Sequence, residues 1–182
     1  MMSYTTQNDL LLNRLVIYYK ESGNLDKMLA IINGESRISL RIVDWFATNY
    51  AKKYYTVYDT DKNQRFKVYV DYKLKLKAYS KRRFDPFCRW ERINVPYKGT
   101  NFIQTTIGQL NFFKWALENG VIDYIENNYE YIEKDMNSRN STSKRKENLT
   151  NQSKTRKKRE ELSISASKSI KKEEVEIIVE FN

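Results

Sequence analysis

The stretch from Ser39 to Val95 constrains the fold most, because it combines aromatic and cationic side chains with both helical and strand-like spacing. It holds two of the three tryptophans and the only cysteine. A solvated loop does not carry so many large aromatic residues, since these are stabilised by burying apolar surface. The stretch therefore predicts a folded domain whose surface is basic.

The overall composition indicates the kind of partner. The chain has 182 residues, 40% of them hydrophobic, and a net charge of +10, which suits one domain followed by a tail. Such a charge favours polyanions, above all nucleic acid. No apolar run is long enough to span a bilayer, and the N-terminus lacks the pattern of a secretory signal, so no membrane partner is predicted.

The residue types exclude several kinds of catalysis. The chain contains no histidine, which excludes Ser-His-Asp and Cys-His nucleophilic schemes. Cys88 stands alone, so neither an internal disulfide nor a cysteine zinc cluster can form. There is no glycine-rich phosphate loop and no dinucleotide fingerprint. The sequence thus predicts no catalytic residue, cofactor or metal, and it favours a non-enzymatic role.

The hydrophobic spacing predicts an α+β fold, with a small antiparallel sheet packed with about five helices. Ser39 is a good N-cap for one helix, and Thr105 or Thr106 for another. Residues 72–83 fit a strand or a helix, and helix is preferred because Lys, Leu and Ala favour it. Helices are predicted at 8–22, 24–32, 40–53, 72–83, 106–119 and 121–132, and extended segments at 54–71 (a hairpin), 88–95 (ended by Pro96) and 101–106.

The composition changes at Asn137 and again near Lys171. Residues 137–170 are rich in Ser, Asn, Lys and Arg and nearly free of aromatics, so they cannot bury enough apolar surface to fold. We expect a globular domain at 1–136, a disordered basic tail at 137–170 and an acidic-hydrophobic motif at 171–182.

A nucleic-acid-binding surface is predicted on the domain. Cations there can bind phosphates, and the interleaved aromatics can stack on exposed bases. The alternative is a solvated basic face over ordinary core aromatics. The predicted phosphate-binding residues are Lys73, Lys75, Lys77, Lys81, Arg82, Arg83, Arg89 and Arg92, and the predicted stacking residues are Tyr79 and Trp90.

The tail carries two basic clusters about ten residues apart, an arrangement similar to a bipartite nuclear-localisation signal. The same residues would bind nucleic acid without sequence preference, or simply keep the chain soluble. The clusters are Lys144, Arg145 and Lys146, followed by Arg156, Lys157, Lys158 and Arg159.

The C-terminal motif alternates acidic and apolar residues. It resembles the short acid-flanked strands that bind ubiquitin-like modifiers by adding to a sheet edge. It could instead fold back on the basic groove or tail, or pair with a sheet edge of the domain. Its apolar residues are Val175, Ile177, Ile178, Val179 and Phe181.

One enzymatic alternative stays open. Asp59, Asp61 and Asp71 with Lys73 weakly resemble the carboxylate and lysine set of metal-dependent nucleases. However, Asp59 and Asp61 lie in a predicted turn, where acidic residues favour local hydrogen bonds in any case.

The segments ISLRIVDWFATNYAKK, LKAYSKRRFDPFCRWERI and TTIGQLNFFKWALENGVIDYI resemble an uncharacterised protein family of nucleocytoplasmic large DNA viruses, of the mimivirus and phycodnavirus kind. The resemblance covers about residues 37–126 and excludes the tail. It implies a viral protein made in an infected eukaryotic cell, in the cytoplasmic viral factory, the nucleus or the virion. No functional residue carries over from that family.

The sequence therefore predicts a nucleic-acid-binding viral accessory protein for genome association or packaging. The alternative is a virion structural or assembly protein, in which the aromatics anchor interfaces and the basic tail contacts acidic protein partners. A metal-dependent nuclease is the third reading.

Overall fold

The computed structural model describes residues 6–20, 23–88, 91–99, 101–149 and 171–173, with backbone alone for 140–149 and 171–173. Helices surround one central helix, and two small antiparallel sheets lie beside them. The predicted α+β class is confirmed.

Two helices form the N-terminal layer, as predicted. They are α1 (Gln7–Lys20) and α2 (Asn24–Asn33). Gly34 ends α2 with a φ of 77°, a left-handed conformation that favours glycine. The buried Tyr19 hydroxyl donates a hydrogen bond of 2.6 Å to the carbonyl of Leu110. This bond fixes α1 to the centre of the domain.

The next helical segment begins at the predicted cap. The Ile42 amide donates to Ser39 Oγ at 3.3 Å, and α3 (Leu40–Trp45) follows. A π-helical turn (Phe46–Tyr50) leads without interruption into α4 (Ala51–Lys53). A π turn contains one residue more than a regular α-helical turn.

A short hairpin and a long helix come next. Strands β1 (Val57–Tyr58) and β2 (Phe66–Lys67) are antiparallel, and α5 runs over Val68–Phe84. The predicted hairpin to residue 71 is wrong in its last four residues, which belong to α5. Val68 and Tyr72 are buried one helical turn apart, whereas Val70, which strand alternation would bury, is 52% exposed. Burial of the i and i+4 pair thus decides between the two spacings.

The second sheet has the order β3 (Arg92–Tyr97), β4 (Asn101–Thr106) and β5 (Lys171–Glu173), with both pairs antiparallel. Pro96 was predicted to end the strand, but it lies inside β3 opposite Phe102. Proline is tolerated there because β3 is an edge strand, where an amide N–H can be dispensed with. β5 brings the start of the C-terminal motif back to the domain.

Helix α6 (Ile107–Glu118) is the central helix. Thr106 caps it, accepting a hydrogen bond from the Gln109 amide at 3.2 Å. Most of its side chains are buried, which explains why apolar residues occupy more than one of its faces. It contacts α1, α2, α5 and α7, so it determines where the surrounding helices lie.

The last helices are α7 (Val121–Asn127) and α8 (Tyr129–Leu149). The helix predicted over 121–132 is therefore interrupted at Asn128, and two helices lie where one was predicted. α8 also continues past residue 136, so its last part, to Leu149, runs into the predicted basic tail. Ile132 and Met136 anchor α8 in the core. Extending an anchored helix through Lys, Arg and Glu costs little free energy, because these residues favour helix.

Within the described ranges, no helix combines the length and the apolar character needed to cross a membrane.

Candidate nucleic-acid interface

Helix α5 presents lysines to solvent. Its buried residues Val68 and Tyr72 face the core, and α5 packs along α6. Lys73 and Lys77, one turn apart from each other, are exposed. The amphipathic packing of the helix therefore places two of the predicted phosphate ligands on one surface.

A kink at Ser80 divides the predicted basic surface. This serine has φ 64° and ψ 168°, a left-handed backbone that costs a non-glycine residue on the order of 1–3 kcal/mol. Lys81 and Arg82 are exposed on the short turn after the kink. Asn111 Nδ2 donates to the carbonyl of Arg83 at 2.8 Å and holds this turn against α6.

Arg83 and Arg92, both predicted to bind phosphate, make contacts within the domain. Arg83 is half-buried; its Nε donates to Asn8 Oδ1 at 2.8 Å and its Nη1 to Gln7 Oε1 at 3.4 Å. Arg83 thus ties α5 to α1. Arg92 Nη1 donates to Gln104 Oε1 at 3.1 Å across the β3–β4 pair. Lys75 is half-buried as well.

The predicted stacking residue Tyr79 is partly used by the core. Its ring stacks on Phe84, with centroids 6.1 Å apart and an interplanar angle of 20°. The side chain is half-buried, so one ring face is already covered. A nucleobase could reach Tyr79 only from its other side.

Sequence reasoning missed two residues of this surface, Lys52 and Tyr69. Lys52 Nζ lies 5.7 Å from the centroid of the Tyr69 ring, a cation–π contact that joins α4 to α5. Tyr69, Lys73 and Lys77 are four residues apart, so they lie in one row along a helix. A predicted start of α5 at Val68 would have revealed that row.

Apolar side chains interrupt the lysines. Val70 is 52% and Leu74 60% exposed, and with the neighbouring Leu76 they form a shallow groove between the lysines. Aliphatic side chains do not bind phosphate, whereas the lysines do. This surface can therefore contact both anionic and apolar groups of a partner. We call it the α5 face and define it by Lys52, Tyr69, Val70, Lys73, Leu74 and Lys77.

Two carboxylates of the nuclease alternative, those of Asp71 and Asp59, have structural partners. Asp71 Oδ1 accepts a hydrogen bond of 2.7 Å from the indole N–H of Trp115. Asp59 Oδ1 accepts one of 2.7 Å from the amide of Arg65, which closes the β1–β2 turn. Among the side chains that the structure describes, no three potential metal ligands of the His, Cys, Asp or Glu type lie together.

A buried carboxylate, that of Asp135, contacts the last residue of α4. Asp135 on α8 accepts hydrogen bonds from Trp45 Nε1 at 3.1 Å and from Lys53 Nζ at 2.6 Å. Burial alone would raise the pKa of Asp135. The hydrogen bonds from Lys53 and Trp45 and the charges of Lys53 and Arg139 outweigh burial and lower the pKa. The ionised carboxylate therefore holds α8 against α3 and α4.

We expect Asp135→Asn to lower the free energy of unfolding by about 1 kcal/mol at neutral pH, because charge-assisted hydrogen bonds are stronger than neutral ones. Since the folded pKa lies below the unfolded one, this stabilisation is complete above about pH 5 and disappears as the pH falls through the folded pKa. Urea denaturation across this pH range should show the two proteins converging in stability on acidification. A pH-independent difference would contradict this role.

The remaining predicted site residues lie outside the described part of the chain. These are Arg89 and Trp90, the second tail cluster at 156–159 and the apolar residues of the motif at 175–181. For Lys144, Arg145 and Lys146, the structure describes the backbone of α8 alone.

Comparison with known proteins gives a family and no activity. The chain is 48% identical over 132 residues to the uncharacterized protein L507 of Acanthamoeba polyphaga mimivirus, covering 68% of this chain and 50% of that protein. The chain thus spans about half the length of this curated relative. No solved structure matched it.

A family model matches residues 3–182, nearly the whole sequence. The resemblance to giant-virus proteins is confirmed by this match together with the mimivirus relative. The chain belongs to DUF7197, a family of unknown function.

Proposed function

We propose that the protein is a non-enzymatic nucleic-acid-binding accessory protein that associates with or packages the viral genome. The observation that carries the proposal is the exposed pair Lys73 and Lys77 on α5, continued by Lys81 and Arg82 after the kink. Lysine and arginine side chains in such a row bind successive phosphates without reading sequence.

The charge balance supports the same function. Like charges repel one another across a net charge of +10, and a polyanionic partner removes that repulsion on binding. For a protein of a giant-virus family, this role belongs in the viral factory of the host cytoplasm, in the nucleus or in the virion.

An aromatic ring beside the lysines favours single strands over duplexes. Tyr69 lies under Lys52, one helical turn before Lys73. Unpaired bases can stack on such rings, each stack contributing about 1–3 kcal/mol, whereas the bases of a duplex are already stacked.

Charge reversal at exposed lysines of α5, on both sides of the kink, tests the proposal. We expect the triple variant Lys73→Glu, Lys77→Glu and Lys81→Glu to bind duplex DNA at least about tenfold more weakly. Each lost phosphate contact should reduce the salt slope by about 0.9, so the slope should fall by about 2 to 3. Fluorescence anisotropy with labelled duplex and single strand over a salt series measures both quantities.

A matched control separates a local effect from a change in total charge. The exposed residues Arg14, Lys27 and Lys134 lie on other helices, and their reversal to Glu changes the net charge by the same amount. Equal weakening by both triple variants would count against a site on α5. Running the assay with and without Mg²⁺ also tests the nuclease alternative, which requires strand shortening that depends on Mg²⁺.

A second candidate function is virion assembly through acidic protein partners. The exposed Val70 and Leu74 within the α5 face favour it, because apolar side chains bind protein surfaces and not phosphates. Replacing both by serine should leave DNA binding unchanged but remove the protein from particles stripped of DNA. Retention of the double variant in such particles would contradict this second function.

A further inference from the structure

A cleft opens where the β3–β4 hairpin meets the corner between α1 and α2. It has a volume of about 290 Å³, and Val16, Leu25, Val95 and Pro96 form its apolar walls. The exposed Lys20 and Lys98 lie at its rim. Asp26 is also there, and its carboxylate is paired with Lys98 Nζ at 3.1 Å and with the Tyr97 hydroxyl at 2.8 Å.

The register of the sheet leads the C-terminal segment to this cleft. Glu173 pairs with Phe102, and Phe102 pairs with Pro96, so the three lie in one row across the sheet. With neighbouring strands about 4.8 Å apart, Glu173 is about 10 Å from the cleft wall. β5 is antiparallel to β4, so the chain after Glu173 leaves towards the hairpin turn, the end at which the cleft lies.

The segment after β5 is chemically complementary to the cleft. Residues 174–182, which follow Glu173, span about 30 Å when extended. Their sequence EVEIIVEFN alternates apolar side chains with three glutamates. The apolar side chains match the cleft walls, and the glutamates match the net positive charge of the rim, where two lysines outnumber Asp26.

We propose that residues 174–182 dock in cis into the cleft between the α1–α2 corner and the β3–β4 hairpin. Val175, Ile177 and Ile178 supply the apolar contacts, and Glu174 and Glu176 face Lys20 and Lys98.

Docking has a consequence for protein partners. The docked motif is withheld from ubiquitin-like modifiers, which would need its strand exposed.

A spin label near the C-terminus tests the proposal in the full chain. Cys88, the only cysteine, is replaced by serine, and Asn182→Cys carries a nitroxide. We expect a motionally restricted spectrum that does not change on dilution. Val16→Asp places a charge in the cleft wall and should convert the spectrum to that of a mobile label.

Two further variants keep the result interpretable. Ile17→Asp, at the adjacent position of α1 that is 63% exposed, should leave the label restricted. If Val16→Asp proves unfolded by circular dichroism, the double variant Ile177→Ser and Ile178→Ser replaces it and should also release the label. A mobile label in the starting protein, or a label unaffected by both the wall and tail substitutions, would overturn the proposal. A restricted signal that weakens on dilution would show docking between copies and overturn docking in cis.

Discussion

Replacing Phe84 by alanine should lower the free energy of unfolding by about 3–5 kcal/mol, the largest effect that we expect from a single substitution. Phe84 is fully buried, and its ring lies 5.8 Å, between centroids, from each of Tyr72, Phe112 and Trp115. Alanine removes the centre of this cluster and leaves a cavity, because three large rings cannot close the space without strain.

Urea denaturation monitored by circular dichroism measures this loss. Tyr131→Ala is the matched control, since this aromatic side chain is 71% exposed and its removal should change stability by no more than about 0.5 kcal/mol. A loss below about 1 kcal/mol for Phe84→Ala would contradict the central position of the ring. Phe84 also ends α5, so its loss should loosen the turn that carries Lys81 and Arg82.

Gly108→Ala should destabilise the protein by about 1–3 kcal/mol, although alanine is the better helix former. A Cβ at this position would lie 2.7 Å from the carbonyl oxygen of Asp85 and 3.2 Å from that of Arg82. Both neighbours are backbone atoms and cannot rotate away. The substitution therefore pushes the end of α5 from the start of α6.

The sign of the Gly108→Ala effect is the decisive observation. Helix propensity alone would make the alanine variant more stable by about 0.5–1 kcal/mol. Thermal and urea unfolding should instead show a lower midpoint. A variant as stable as the parent would mean that α5 and α6 do not approach each other so closely. The nucleic-acid binding that we propose should weaken as well, because the displaced backbone carries Lys81 and Arg82.

Much of the fold follows from local signals in the sequence. Ser39 and Thr106 each have a hydroxyl that caps a helix, and both caps are present. Such signals act over three residues and need no tertiary information. The predicted boundary between β2 and α5 was wrong. The apolar residues at 66, 68, 70 and 72 fit both strand and helix spacing, and packing against α6 determines which of them are buried.

The basic surface was predictable only in part. The exposure of Lys73 and Lys77 follows from helical spacing, which the sequence contains. The hydrogen bonds of Arg83 to Asn8 and Gln7 do not, since these residues are more than seventy positions away in the chain. The left-handed Ser80 could not be anticipated either, because serine carries no preference for that backbone. Contacts distant in sequence thus decide which cations are available to a partner.

The π-helical turn at Phe46–Tyr50 changes which face of the continuous helical segment points to which neighbour. Each residue turns an α-helix by about 100°, so one inserted residue rotates everything after it by about that angle. α3, before the π turn, packs against α7 and α8, whereas α4, after it, packs against α5. Deleting one residue here would restore a regular helix but turn Lys53 away from Asp135 and Lys52 away from Tyr69. In this segment the length of the chain is therefore as constrained as the identity of its side chains.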